Sequence, residues 1–416
     1  MHYIIIGAGP AGIVAAETIR KTDHTADISL IGAEQEPPYS RMAIPYYLVG
    51  NIEESGSYLR VQQDHYTALE ISVFQDHVDK IDASLQQLTL SSGKTLDYDK
   101  LLIATGSSPI QPPIPGIDLA CVQSCWTLQD ARNIINLAQP GSNVVLIGAG
   151  FIGCIILEAL VKRGVNLNVV ETGNRMVPRM LDDKAGGLLK RWCENKGVTV
   201  NTSCLVSAIN ESGSGATVQL DNGNTLPADL VITATGVKSN LDLVQGTGIA
   251  TDEGILVDEY LQTNLPNIYA AGDVAQGYDF STGQQTVQAI QPTATDHGRI
   301  AALNMCGKIT RHHGSVNMNV LDTLGLISCS FGSWMGVPEG DTVNLYNEDD
   351  FLYMNLQFSD DILVGASTVG KTQHIGVLRG LIESRIKLGA WKDRLMDDPT
   401  CLMEAYMEST QEIGFK

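Results

Sequence analysis

Met1-His2-Tyr3-Ile4-Ile5-Ile6-Gly7-Ala8-Gly9-Pro10-Ala11-Gly12 opens the chain, an apolar strand that runs straight into G-x-G-x-x-G and then into a helical pattern. In that context the motif has a mechanism. The first Gly makes a tight turn, the second lets backbone approach a pyrophosphate, and the helix N-terminus faces the anion. Val144-Val145-Leu146-Ile147-Gly148-Ala149-Gly150-Phe151-Ile152-Gly153 repeats the arrangement. Each copy is followed by a second strand ending in an acid, Glu34 after Asp27-Ile28-Ser29-Leu30-Ile31 and Glu171 after Asn166-Leu167-Asn168-Val169-Val170. A ribose-binding carboxylate belongs roughly 20 residues past the turn. Two such sites imply a protein that moves electrons between two dinucleotides.

Working outward, the 416 residues suffice for two or three domains, and 44% apolar with 18% charged residues reads as globular. A net charge of −20 argues against nucleic acid and anionic membrane surfaces. The longest apolar stretch, residues 144–157, is too short to span a bilayer and serves the second fingerprint. With no export signal ahead of the first strand, a cytoplasmic location is expected. The eight cysteines are scattered, and the Cys121/Cys125 pair has no matching second pair, so free buried thiols are expected and no metal site. Residues 371–394 run against the overall charge: Lys371, Arg379, Arg385, Lys387, Lys392 and Arg394 outnumber Glu383 and Asp393. They read as a solvated helix face or as a docking patch for an acidic electron carrier.

Two further short strands end alike, in Ala104-Thr105-Gly106 and Ala234-Thr235-Gly236, where a small-residue turn lets the chain pass close to a cofactor. A Pro-rich run over residues 109–116 makes a stiff boundary. Ser92-Gly93 and Asn222-Gly223 mark hairpins. The strand before Gly272-Asp273 ends where an acid can bond a polyol, and a helix follows through about Gly307. Beyond residue 319, strands are expected around 324–331, 342–346, 351–358 and 363–368, then helices over about 376–388 and from 401. The fold class is α/β: two Rossmann-like modules and a C-terminal α+β module. The expected division is 1–110 with 247–310, then 111–246, then 311–416.

With two fingerprints, two Ala-Thr-Gly strands and Ala-Gly-Asp-Val in this order, the chain resembles the FAD-dependent pyridine nucleotide–disulfide oxidoreductase superfamily, strongly over residues 1–310. The resemblance implies that the first fingerprint holds FAD and the second NAD(P)H. Carried over, Gly7, Gly9, Pro10, Ala11, Gly12 and Glu34 bind the adenosine-diphosphate half of FAD, and Val78 lies by the adenine. Ala104, Thr105 and Gly106 line the site, Gly272 and Asp273 meet the ribityl–pyrophosphate region, and Gln291 and Pro292 approach the flavin ring. Gly148, Gly150, Phe151, Ile152, Gly153, Glu171 and Gly236 serve the second nucleotide. Glu171 accepts ribose hydroxyls of NAD and repels a 2′-phosphate, so NADH is expected over NADPH.

Members with a redox disulfide carry C-x-x-x-x-C after the first acid, and members with a single reactive thiol carry Cys just before Pro-Tyr-Tyr. Here no cysteine precedes Cys121 and Met42 stands at that place, so thiol relay through this helix is excluded. What remains resembles rubredoxin and ferredoxin reductases and the flavin part of nitrite reductases. Arg41 matches a cation beside the flavin that would stabilise the reduced ring. One departure is Ile155, where the family has a Glu near the nicotinamide; Glu158 lies three residues along the helix. Two outcomes are open, an unpaired Arg41 beside the flavin or a different nicotinamide pose. The expected function is hydride transfer from NADH to FAD and onward to a small electron-carrier protein, in a homodimer formed through the C-terminal module. Rival readings are an NADH oxidase or a quinone or polysulfide reductase, and an FAD- and NADH-binding regulatory or scaffold subunit. His374 reads as a residue at a helix start and His312-His313 as an exposed turn.

Overall fold

The computed structural model describes residues 1–213 and 215–414. The fingerprint strand His2–Ile6 lies at the centre of a five-stranded sheet, between Asp27–Gly32 and Lys100–Ile103, with Ile71–Gln75 and Ile268–Ala270 at the edges. All four pairings are parallel. Ile4 and Ile5 are both fully buried, although neighbours on a strand point to opposite faces. Both faces are therefore covered, as a parallel sheet with crossover helices requires, and the strand shows no polar alternation.

The second sheet repeats this plan. Asn143–Ile147 is central, flanked by Asn166–Val170 and Leu230–Thr233, with Thr199–Asn201 and Val122–Ser124 outermost, all parallel. Each sheet has an antiparallel three-stranded companion, Val78–Asp82 with Gln87–Leu90 and Thr95–Asp97, and Val206–Ser212 with Gly215–Leu220 and Thr225–Ala228. The expected hairpin turns fall at Gly93 and Gly223, both at positive φ (83° and 88°) where glycine is favoured. The chain leaves the first sheet, builds the second, and returns to pair Ile268–Ala270 with Lys100–Ile103. A two-stranded ribbon, Ser107–Pro109 against Val237–Ser239, carries it across.

Helix Pro10–Thr22 begins with Pro, whose missing N–H costs nothing there. It packs against helix Gln291–Met305 closely enough that a Cβ on Gly298 would lie 2.2 Å from the Ala11 carbonyl oxygen. That contact seats the start of one helix beside the other. Near its end, Arg20 is only 8% exposed and spends its guanidinium on main-chain carbonyls. Nε reaches Leu69 at 2.7 Å, Nη1 reaches His24 at 3.0 Å, and Nη2 reaches Ala26 and Glu70 at 2.9 Å each.

The C-terminal sheet is antiparallel, in the order Met318–Thr323, Leu326–Gly332, Ile362–Val369, Leu352–Ser359, Asp341–Asn347. Phe331, Leu356 and Phe358 pack under helices Ile375–Ser384, Ala390–Asp397 and Leu402–Gly414 through Leu378, Leu381, Leu395 and Leu402. Strand Met318–Thr323 and helix Ala390–Asp397 were not expected from the sequence. The first leaves apolar Val320 exposed and buries polar Thr323 with Leu321, which obscures its alternation, and the second carries only one buried residue, Leu395.

Candidate dinucleotide site

The fingerprint glycines divide into two kinds by what surrounds them. Gly7 has φ +112°, and a Cβ there would sit 2.0 Å from the Ala104 carbonyl oxygen. A Cβ on Gly12 would lie 1.9 Å from the Gly7 oxygen, while one on Gly9 meets no protein atom within 4 Å. The second copy matches: Gly148 (φ +102°) faces the Ala234 oxygen at 2.4 Å, Gly153 faces the Gly148 oxygen at 2.2 Å, and Gly150 faces open space. The Ala-Thr-Gly strands therefore supply the carbonyl against which each fingerprint turn is packed. Gly236, at φ +109°, lets the second of them turn away into the ribbon.

A cavity of about 750 Å³ opens at the Gly9 position. Gly7, Gly9, Pro10, Ala11, Glu34, Arg41, Val78, Ala104, Thr105, Gly106, Gly272, Asp273 and Gln291 all border it. Its far wall is the second-fingerprint helix Phe151–Lys162, through Phe151, Ile152 and Ile155. Gly12 and Gly153 lie outside it, packed in the turns, and Pro292 sits one residue inside the helix that Gln291 begins. Gly148 and Gly150 in the second turn, Glu171 after strand Asn166–Val170 and Gly236 before the ribbon do not border this cavity. Met42, at the place where relatives carry a thiol, borders it beside Arg41, while Cys125, Trp126 and Asn240 border it and were not anticipated. No local pattern marks these three, because distant segments bring them in.

Arg41 is not left unpaired. Its Nη2 lies 2.6 Å from Glu34 Oε1, and its Nη1 donates to the Tyr39 hydroxyl at 2.8 Å and to the Trp126 carbonyl at 2.7 Å. Tyr39 in turn donates to Glu34 Oε2 at 2.5 Å. Burial pushes the Tyr39 phenol above its ordinary range, so it stays a donor. The cation and the ribose acid, assigned from sequence to different parts of one cofactor, thus meet in a single cluster. Glu158 does not stand in for the missing family Glu. Its Oε1 pairs with Lys162 at 2.5 Å and its Oε2 accepts the Leu324 N–H at 3.3 Å, leaving apolar Ile155 at the cavity wall.

Asp273, in the turn Gly272–Val274, accepts the Ser107 hydroxyl on Oδ2 at 2.8 Å. Burial raises its pKa, opposed by the Ser107 hydrogen bond and the nearby charge of Arg41. Gln291 Oε1 accepts the Ser40 hydroxyl at 2.6 Å, tying the helix start to the segment before Arg41. At the second turn, Glu171 is 7% exposed and accepts the N–H groups of Ala149 and Gly173, each at 2.7 Å. Both of its carboxylate oxygens are thus engaged in holding the turn.

All eight cysteines are free, and burial pushes the thiols of Cys125 and Cys193 up to about 12, far from thiolate reactivity. Among the described residues, no group of three or more His, Cys, Asp or Glu side chains could hold a metal ion, and no helix is long and apolar enough to cross a membrane. His374 stands immediately before helix Ile375–Ser384, as expected. His312 departs from expectation. It is 3% exposed, packed edge-on to His297 at 4.7 Å, because its backbone N–H is drawn inward to the Glu259 carbonyl. In the 371–394 stretch several cations are engaged within the chain: Arg379 with Glu383, Lys392 with Asp341, and Arg385 with the Phe280 carbonyl.

The family model described as pyridine nucleotide-disulphide oxidoreductase matches residues 1–298. The chain is 32% identical to the NADH-dependent phenylglyoxylate dehydrogenase subunit epsilon of Aromatoleum evansii, over 98% of this chain and 97% of that one. It is also 32% identical to an NADH oxidase of Methanocaldococcus jannaschii, over 77% of this chain and 73% of the other. Among solved structures, the covalent putidaredoxin reductase–putidaredoxin complex matches with a TM-score of 0.90 at 25% identity, covering 98% of this chain and 99% of that one.

Proposed function

The chain belongs to the pyridine nucleotide-disulphide oxidoreductase family, and from that membership we propose that it takes hydride from NADH onto FAD and passes the electrons to a small carrier protein. The observation that carries this reading is the single cavity reaching from the first fingerprint to the helix of the second. The site fits FAD on its own geometry. Gly9 leaves space at a helix N-terminus for a pyrophosphate, Val78 borders the end of the cavity with Asp76 and Asp79, and Asp273 offers a buried acid to a polyol. Bound there, FAD would supply two-electron uptake from NADH and delivery in one- or two-electron steps.

The chain's own residues position and exclude. Ile152 and Ile155 present an apolar wall on the side of the second nucleotide. Glu34, Tyr39 and Arg41 form a clamp in which the guanidinium is paired with the Glu34 carboxylate, and its charge opposes the burial that raises the pKa of Asp273. Glu171 at the second turn favours NADH. The domain division 1–110 with 247–310, 111–246 and 311–416 is our proposal for the functional units. The protein acts in the cytoplasm as a homodimer through the C-terminal unit. Its carrier docks near residues 371–394, where cations held by their own partners still contribute to steering. The match to a complex with putidaredoxin supports a protein carrier. The match to a dehydrogenase subunit over nearly the whole chain favours a second reading, in which the chain hands its electrons on inside a larger enzyme and not as a free homodimer.

Anaerobic mixing with NADH bleaches the flavin band rapidly, and NADPH does so far more slowly. Absence of bleaching with either overturns the reading. Under air, reoxidation of the reduced protein is slow without a carrier; rapid reoxidation would favour the oxidase reading that the methanogen relative supports. Glu171→Gln raises the NADH concentration for half-maximal bleaching about tenfold, equivalent to ~1.4 kcal/mol, with FAD content unchanged. Arg41→Ala lowers the flavin midpoint potential by about 30 mV. An unchanged potential in the loaded variant would show that Arg41 serves Glu34 alone.

A further inference from the structure

Asp273 is gripped at both ends by the ribbon that joins the two sheets. Ser107 and Ser239 are directly opposite each other on its two strands. The Ser107 hydroxyl donates to Asp273 Oδ2, and the Ser239 hydroxyl to the Asp273 backbone carbonyl, each at 2.8 Å. Ser107 is 7% exposed, so its hydroxyl has little access to water as an alternative partner. Among the described residues, no hydrogen bond from another residue to Oδ1 is found, and Asp273 borders the cavity.

The ribbon's own position is set from the second sheet. Trp126, just past strand Val122–Ser124, donates its indole N–H to the Ser107 carbonyl at 3.1 Å. Asn240 follows the other strand and holds the Ala-Thr-Gly end, its N–H on the Gly106 carbonyl at 3.0 Å and its Nδ2 on that of Thr105 at 2.8 Å. The same Trp126 presents its carbonyl to Arg41.

Building on the FAD reading above, we infer that Ser107 is a positioning residue. It pins one carboxylate oxygen of Asp273 so that the other meets a hydroxyl of the bound cofactor, and through Trp126 it ties that orientation to the second nucleotide module. A buried carboxylate with two rotatable oxygens would otherwise turn toward whichever donor is nearest. A hydroxyl fixed on a strand removes that freedom before the cofactor arrives.

The test is a double-mutant cycle on FAD affinity, read by quenching of flavin fluorescence on titration into cofactor-stripped protein, with circular dichroism to check folding. Wild type, Ser107→Ala, Asp273→Asn and the double variant are compared. Ser107→Ala is expected to weaken FAD binding about tenfold. If Ser107 acts through Asp273, the double variant binds no more weakly than Asp273→Asn alone. Ser107→Thr, which keeps the hydroxyl, stays near wild type. Should Ser107→Ala not fold, Ser107→Cys, similar in size but a poor donor, takes its place in the cycle. Wild-type affinity in the Ala or Cys variant, multiplicative losses in the double variant, or a Thr variant as weak as Ala would each overturn the inference while leaving the FAD reading intact. Failure of the wild type itself to take up FAD would overturn both.

Discussion

Replacing Gly9 by Ala empties the first site of FAD while leaving the chain folded, and replacing Gly150 by Ala does the same for NADH at the second. Both glycines are helix N-caps in extended backbone, φ −79° at Gly9 and φ −73° at Gly150, which alanine adopts without strain. A Cβ at either position meets no protein atom within 4 Å. Neither glycine is therefore required by the protein's own packing. What remains for them is close approach of a ligand to the helix N-terminus. The expected loss is about 100-fold in affinity, or ~2.7 kcal/mol, with the melting temperature of the cofactor-free protein unchanged. In Gly150→Ala the flavin content stays at the wild-type level and only the NADH dependence of bleaching moves. Gly12→Ala is the contrast. Its Cβ would be 1.9 Å from a backbone oxygen, so it lowers folding stability itself. Wild-type FAD affinity in Gly9→Ala would sink the assignment of the first site.

Arg20→Met destabilises the fold by about 4 kcal/mol, the scale of breaking a buried charged group's hydrogen bonds. Four carbonyl oxygens, from Leu69, His24, Ala26 and Glu70, lie within 3.0 Å of the guanidinium. Methionine fills the stem but leaves those carbonyls without donors, at the place where helix Pro10–Thr22 ends and strands Asp27–Gly32 and Ile71–Gln75 begin. Urea unfolding of both proteins stripped of FAD reads the difference free of ligand linkage. A change below about 1 kcal/mol would show that water replaces the guanidinium there.

The two nucleotide modules were legible because each is specified locally. An apolar strand, a glycine turn and a helix start lie within a dozen residues, and each chemical requirement falls on a neighbouring position. The Ala-Thr-Gly strands were legible as small-residue turns, although their purpose, a carbonyl packed on Gly7 and on Gly148, emerged only from the fold. The roles of Arg41 and Glu158 depended on side-chain direction. Sequence spacing put Glu158 near Ile155, but the helix carries it round to Lys162 and Leu324. It likewise gave no sign that His312 would turn inward against His297.

By itself the sequence determined that there are two dinucleotide turns, which acid follows each, and that no thiol relay runs through the helix after Glu34. Only the tertiary structure decided that Glu34 and Arg41 share one cluster, that Trp126 from the second module reaches both Arg41 and Ser107, and that Asp273 is held from the joining ribbon. The reason is physical. A glycine turn is dictated by backbone geometry over a few residues. Ser107 and Asp273 are 166 positions apart, and a hydrogen bond between them exists only once the chain has built the second sheet and returned to pair Ile268–Ala270 with Lys100–Ile103.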